Sequence, residues 1–245
     1  MDTYVHNISV HAEFPPPLER QERDSPYLRS AIVKGMTPAE IVAGMPLCSR
    51  TPLAWGEAAL ADPVALLTDH AFLEMKAATN ALDLMTRWPG AWVPGWVETM
   101  TSVARDEAAH LAQVSRLLLR RGGRLTRGHS NPYARDLRLL VRRGGDPEVL
   151  DRLFVSALIE LRSCERFAVL AEVAAHDGEL QTLYRALFRS EHGHYRVFLK
   201  LAYRAGEPPV VEARWRELLE READILERQK VGCRIHSGVG KASGE

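Results

Sequence analysis

Apolar side chains recur at three- and four-residue intervals through five long segments, about 62–86, 96–121, 147–175, 178–204 and 209–229, and almost nothing alternates with the period of two that a strand requires. Each segment is therefore expected to be a helix with one apolar face. "RWPGAWVPGW" separates the first from the second. "RRGGRLTRGHSNP", followed by a short helix at 132–142, separates the second from the third, and "AHDGE" the third from the fourth. Two short connections flanking a long one predict two helical hairpins joined by a crossover, an all-α four-helix bundle with additional flanking helices. Upstream, Thr37 as N-cap, Pro38 at the first helical position and Glu40 closing a capping box predict a short helix. The first 35 or so residues, with "FPPPLERQERDSP", carry proline and charge without periodicity and are expected to wrap the surface or stay loose. The expected division is an N-terminal extension at 1–60, a helical domain at 61–238 and a flexible tail at 239–245.

Composition narrows the class. A chain of 245 residues with 46% hydrophobic residues can bury a sizeable core. A formal net charge of zero gives no global field that announces a nucleic-acid partner. No apolar run reaches the length of a membrane span and the start does not read as a signal peptide, so a cytoplasmic protein without a membrane partner is expected. Cys48, Cys164 and Cys233 are far apart and odd in number, which predicts reduced thiols.

The apolar faces themselves carry the chemistry. Leu67, Ala71, Glu74, Ala78 and Ala81 share one stripe; Val103, Glu107, His110 and Val114 share the next. Leu153, Ala157, Glu160 and Cys164 share the third, and Leu187, Glu191, His194 and Phe198 the fourth. Each helix of the bundle thus turns a glutamate toward the core. An ionised glutamate there costs several kcal/mol unless it is paired or binds metal. No Lys or Arg lies on the stripes near them, whereas two divalent cations supply about +4 against about −4 from the four carboxylates. Of nine histidines, only His110 and His194 have a glutamate three positions earlier, in "EAAH" and "EHGH". Glu107 follows Glu74 by 33 residues and Glu191 follows Glu160 by 31, so a hairpin carrying Glu and then Glu-x-x-His is repeated. That is the ligand arrangement of ferritin-like dimetal proteins, and it predicts metal ligands at Glu74, Glu107, His110, Glu160, Glu191 and His194.

Neighbouring residues receive plainer readings. His192 points about 100° away from Glu191 and is read as a surface residue or one behind the ligands. His70, one turn before Glu74, could hydrogen-bond near the site but is read as a satisfied core histidine. Glu165 competes with Glu160, which is preferred because it shares the stripe with Ala157 and Cys164. Trp88, Trp92 and Trp96 recur every four residues, but the prolines and glycines among them forbid a continuous helix and predict loop packing. "SGVGKASG" lacks the full spacing of a phosphate loop and is set aside.

Oxygen and nitrogen ligands without thiolate suit iron or manganese, with iron the expected occupant as two ions. Two classes of function follow: an oxygenase acting on an organic substrate, or a ferritin- or rubrerythrin-like protein handling iron or peroxide. "TDHAFLEMKAA", "ARDEAAHLAQV", "NPYA", "ALIELRSCERFAVLA", "SEHGHYRVFLKLA" and "RIHSG", in order from about residue 60 to 238, resemble the tRNA 2-methylthio-N6-isopentenyladenosine hydroxylase family, MiaE. "IELRSCERF" and "RIHSG" are the parts that ferritins and rubrerythrins do not share. The resemblance implies a ferritin-like fold and a non-haem diiron centre on the six residues above. It also implies dioxygen as co-substrate, an external electron donor such as a reductase or ferredoxin, and hydroxylation of the isopentenyl group beside the anticodon. The fourth-helix motif departs from the family's usual "SEARHF": here it reads "SEHGHY", which keeps both expected ligands and changes His192, Gly193 and Tyr195. A small-molecule oxygenase of the same kind is the third reading.

Local charge bears on the tRNA partner. Nine arginines, at 116, 120, 121, 124, 127, 135, 138, 142 and 143, run between Arg116 and Arg143 with Asp136 the only acid. Such a run is a candidate contact for the phosphates of an anticodon loop.

Overall fold

A computed structural model describes residues 36–239. The expectations for the proline-rich start and for the tail from residue 240 lie outside the described residues. Within them the chain is helical, with no strand: α1 (Pro38–Ala43), α2 (Leu53–Ala59), α3 (Pro63–Met85), α4 (Trp96–Arg120), α5 (Pro132–Arg138), α6 (Gly145–Val173), α7 (Gly178–Ala205) and α8 (Pro208–Glu227). The capping box on α1 is present, Thr37 accepting from the Glu40 amide while Glu40 accepts from the Thr37 amide at 2.7 Å. The short helix expected at 132–142 stops at Arg138, and α2 was not separately expected. Seven residues behind Pro52, which offers no capping side chain, are too few to show a helical period.

The bundle consists of two hairpins. α3 runs into α4 across residues 86–95, and Gly95, at φ 78°, opens α4 in a left-handed conformation that other residues adopt only at a cost. Trp96 is buried at the first position of α4, where its indole N–H donates to the Leu84 carbonyl at 3.0 Å and closes the hairpin. α6 runs into α7 through one short 3-10 turn, Ala174–His176. Asp177 caps α7 by accepting from the Leu180 amide and also takes Arg121 through two bonds of 2.7 and 2.8 Å, which ties the end of α4 to the start of α7. The crossover carries α5 along the outside of α6.

α6 is the central element, buried almost all round over Leu150–Ala171. α2 packs on it so closely that a Cβ at Gly56 would stand 2.8 Å from Val173. α8 buries Trp215, Leu218, Leu219, Ile225 and Leu226, with the Trp215 ring 5.6 Å from that of Phe154 on α6. These outer helices bring polar partners to the side of α6 that faces away from the bundle axis. Arg162, fully buried, is bonded by Glu222 (2.9 Å), Glu165 (3.0 Å) and Ser49. Glu222 also accepts from the Tyr133 hydroxyl at 2.8 Å, and Glu165 from the Thr51 amide and hydroxyl, each at 2.6 Å. With its charges paired, this network can remain in the core.

Candidate metal centre

The helical spacing turns Glu74 of α3, Glu107 and His110 of α4, Glu160 of α6, and Glu191 and His194 of α7 into the middle of the bundle, where all six are buried. One donor atom from each of Glu107, His110, Glu191 and His194 lies within 4.8 Å of every other. His194 Nδ1 is 2.6 Å from Glu107 Oε1 and 3.1 Å from Glu191 Oε2. His110 Nδ1 is 3.1 Å from Glu191 Oε1 and 3.6 Å from both Glu74 and Glu107. Glu160 is buried beside them, near enough that the charges of Glu107 and Glu191 oppose its ionisation.

Three of these atoms, Glu107 Oε1, His110 Nδ1 and Glu191 Oε1, are buried and make no hydrogen bond despite their proximity to one another. Buried polar atoms are normally satisfied, so donors that converge without bonding fit a cation between them. The donor set is oxygen and imidazole nitrogen, with Cys164 engaged elsewhere by the Phe188 carbonyl at 3.3 Å, and it suits iron.

The electrostatics are those of a cluster that holds protons in place of metal. Burial and the charges of Glu191 and Glu74 push Glu107 up to about 8. Burial, then Glu107 and Glu191, hold Glu160 well above the usual carboxylate range. Burial alone would lower both imidazoles, but the surrounding carboxylates outweigh it and raise His110 to about 12 and His194 to about 10. Burial likewise opposes the ionisation of Glu191 and Glu74, yet neighbouring imidazoles win and hold both below the ordinary range. At neutral pH the metal-free cluster therefore carries protons on Glu107, His110 and His194. Metal must displace them, so ferrous iron should bind more tightly as pH rises from 6 to 8, with release of on the order of three protons. Anaerobic titration calorimetry in buffers of different ionisation enthalpy measures that release.

The plainer readings are revised in part. His70 is buried and its Nε2 bonds Glu74 at 2.6 Å, so it is the hydrogen-bonding neighbour of the cluster, held between Phe167 and Tyr184. His192 is not a surface residue: it is buried edge-on to Tyr195. Glu165 belongs to the Arg162 network, away from the cluster. Of the three tryptophans, Trp96 is buried as the first residue of α4, whereas Trp88 and Trp92 lie in the loop, meet edge-on and are 49% and 57% exposed. In the basic run, Arg120 pairs with Glu179, Arg121 with Asp177, Arg135 with Asp136, and Arg142 with Asp151. The acids at 151, 177 and 179 lie beyond the run and were invisible to a local count.

Sequence reasoning missed Glu222, although it stands in the stripe Leu218, Leu219, Ile225, Leu226 of α8 as a core glutamate should. It also missed how the two family-specific stretches meet. Ser163 faces His236 at 3.1 Å, Arg166 donates to the Ile235 carbonyl and lies over the Trp55 ring, and Trp55 donates to Ser237 at 2.9 Å. Gly238 ends this segment with its amide on the Lys230 carbonyl, so close to the neighbouring chain that a Cβ would stand 1.9 Å from the Gln229 carbonyl oxygen.

The match to known proteins covers these elements together. The family model described as tRNA-(MS[2]IO[6]A)-hydroxylase (MiaE) matches residues 41–237. The chain belongs to the MiaE family. A Pseudomonas putida relative named tRNA 2-(methylsulfanyl)-N(6)-isopentenyladenosine(37) hydroxylase is 42% identical over 193 residues, 78% of this chain and 92% of that protein. A Salmonella typhimurium relative of the same name is 34% identical over 151 residues, 62% of this chain and 55% of its own length. Among solved structures, a Synechococcus protein named for aldehyde deformylating oxygenase activity superposes with a TM-score of 0.74 at 34% identity, covering 81% of this chain and 98% of that one. The MiaE match begins at Ile41 and so takes in α2, whose Trp55 and neighbour Thr51 brace α6 from outside the bundle. Among the described residues no helix is long and apolar enough to cross a membrane.

Proposed function

We propose that this chain hydroxylates the isopentenyl group of 2-methylthio-N6-isopentenyladenosine beside the anticodon of tRNA, at a diiron centre held by Glu74, Glu107, His110, Glu160, Glu191 and His194. What carries the reading is the convergence of the two Glu-x-x-His pairs to within 4.8 Å in a chain of the MiaE family. Residues 61–238 would form the catalytic domain, and the segment from Met36 to Leu60 would buttress it. When bound, two ferrous ions would supply electrons to dioxygen. One oxygen atom would enter a C–H bond of the prenyl group and the other would leave as water, with two electrons from an external reductase or ferredoxin and two protons from solvent.

The chain's own part is positioning and charge. His70 fixes one Glu74 oxygen at 2.6 Å and leaves the other free to turn inward. Burial of all six side chains excludes bulk water, which strengthens every interaction among them. The exposed arginines of the basic run, Arg116, Arg124, Arg127, Arg138 and Arg143, are the candidate contacts to tRNA phosphates, in keeping with a cytoplasmic location. A small-molecule oxygenase is the alternative, favoured by the activity for which the Synechococcus relative is named.

The test is the purified, iron-loaded protein with a chemical reductant and dioxygen, given an anticodon stem-loop that carries the prenylated adenosine. Mass spectrometry of the digested nucleosides should show the gain of one oxygen on that adenosine. Oxidation of free aldehydes or alcohols with no change in the RNA would favour the alternative.

A further inference from the structure

Outside the metal cluster, a cavity of about 330 Å³ lies between the start of α5 and the segment after α8. Arg135 comes from α5, and Arg228, Lys230 and Arg234 from the chain beyond α8; all four line the cavity and all are exposed. Only Arg135 belongs to the arginine run of the sequence. Two carboxylates also line the space, but both are already engaged. Asp69 bonds His129 at 2.7 Å and the Ile235 amide at 2.9 Å, and Asp136 holds Arg135 at 3.0 Å. Arg228 and Lys230 form no salt bridge among the described residues. Among the described residues the cavity therefore presents the charges of Arg228 and Lys230 without a salt-bridge partner, beside Arg234 and the Arg135–Asp136 pair.

Its floor is polar and fixed. His236 is buried, with Asn131 at 3.3 Å from Nδ1 and Ser163 at 3.1 Å from Nε2, and its ring stacks on Tyr133 with centroids 4.6 Å apart. Burial, with Arg166 and Arg162 close by, holds His236 well below its ordinary range and therefore neutral. Nδ1 then accepts from the Asn131 amide while Nε2–H donates to Ser163. The second N–H of Asn131, which lines the same space, can serve an oxygen acceptor, whereas Ser237 donates to the Arg234 carbonyl at 2.9 Å and Gln229 to the Ile225 carbonyl at 3.1 Å. The floor is also close to the metal cluster along two helices. Ser163 lies three residues past Glu160, about 4.5 Å of helix rise, and Asp69 five residues before Glu74, about 7.5 Å.

We infer that this cavity is a phosphodiester clamp, in which Arg228, Lys230, Arg234 and Arg135 grip the backbone of the RNA substrate a few nucleotides from the base presented to the metal centre. The inference rests on the tRNA reading above and adds to it a contact surface assembled from distant parts of the chain. Cations of this kind hold register and contribute affinity without reading sequence.

The test compares full-length wild type with Arg228→Gln/Lys230→Gln and with Arg124→Gln/Arg127→Gln, an exposed pair in the loop after α4. Binding of an unmodified anticodon stem-loop is followed by fluorescence anisotropy across a salt series. The cavity variant should bind about tenfold more weakly and show a salt dependence shallower by about 1.4 in logarithmic slope, since each lost single-strand phosphate contact removes about 0.7. In hydroxylation assays its KM for the stem-loop should rise with kcat nearly unchanged. Unchanged affinity and slope in the cavity variant, with wild type binding normally, would overturn the clamp and leave the tRNA reading standing. A cavity variant that loses affinity for inorganic phosphate while binding RNA as wild type does would overturn it in favour of a small phosphorylated ligand. Failure of wild type to bind any stem-loop would remove the clamp together with the tRNA reading.

Discussion

Glu107→Gln is expected to lower iron affinity by more than about 100-fold, because changes in groups that merely support a ligand already cost 10- to 100-fold. The same change should make the metal-free protein more stable. Glu107 lies among Glu74, Glu191 and Glu160 in a buried site, where the charges of Glu191 and Glu74 add to burial in opposing its ionisation. At neutral pH the folded metal-free protein must hold on Glu107 a proton that the unfolded chain releases; a neutral amide of the same shape removes that cost, and the melting temperature of the metal-free form should rise by about 2–4 °C for each kcal/mol relieved. Calorimetry on metal-free and iron-loaded samples separates the two effects. A variant that binds iron as wild type does, or whose metal-free form melts well below wild type, would count against Glu107 as a ligand.

The second large effect lies outside the metal cluster. Glu222→Ala should destabilise the fold by about 3–5 kcal/mol, because it leaves Arg162 partly unpaired in the core. The fully buried Arg162 would keep only Glu165 and Ser49, and Tyr133 would lose the acceptor that lies 2.8 Å from its hydroxyl. At about 2–4 °C per kcal/mol the melting temperature falls by roughly 6–20 °C. The double change Arg162→Met/Glu222→Met removes both charges together, while Glu165 retains its two bonds from Thr51. It should recover more than half of the single-variant loss. A double variant no better than Glu222→Ala would show that the network acts through something other than charge pairing.

Much of this was legible because a helix converts spacing into direction. Glu107 and His110, or Glu191 and His194, lie three residues apart and must share a face, so both pairs and the two lone glutamates could be located before any coordinates. Glu160 was separable from Glu165 on the same ground, since only Glu160 keeps to the stripe of Ala157 and Cys164. Where the physics is local the reading held, as at the Thr37 capping box.

It failed where partners come from afar. The bond between His70 and Glu74 is at helical spacing, but whether the ring turns inward depends on Phe167 and Tyr184 on other helices. His192 appeared peripheral because helical projection does not show what packs against a face. Within the arginine run the sequence offers only Asp136 as an acid, but Asp151, Asp177 and Glu179 pair with its arginines from beyond the run. The cavity draws on α3, α5 and the chain beyond α8, and no single window of sequence contains it.

The most direct measurement of the central claim is mass spectrometry of nucleosides from bulk tRNA in cells with and without this gene. The expected result is that the hydroxylated isopentenyl adenosine is lost without the gene and its unhydroxylated precursor accumulates. An unchanged profile in cells that contain the precursor would contradict tRNA hydroxylation by this protein.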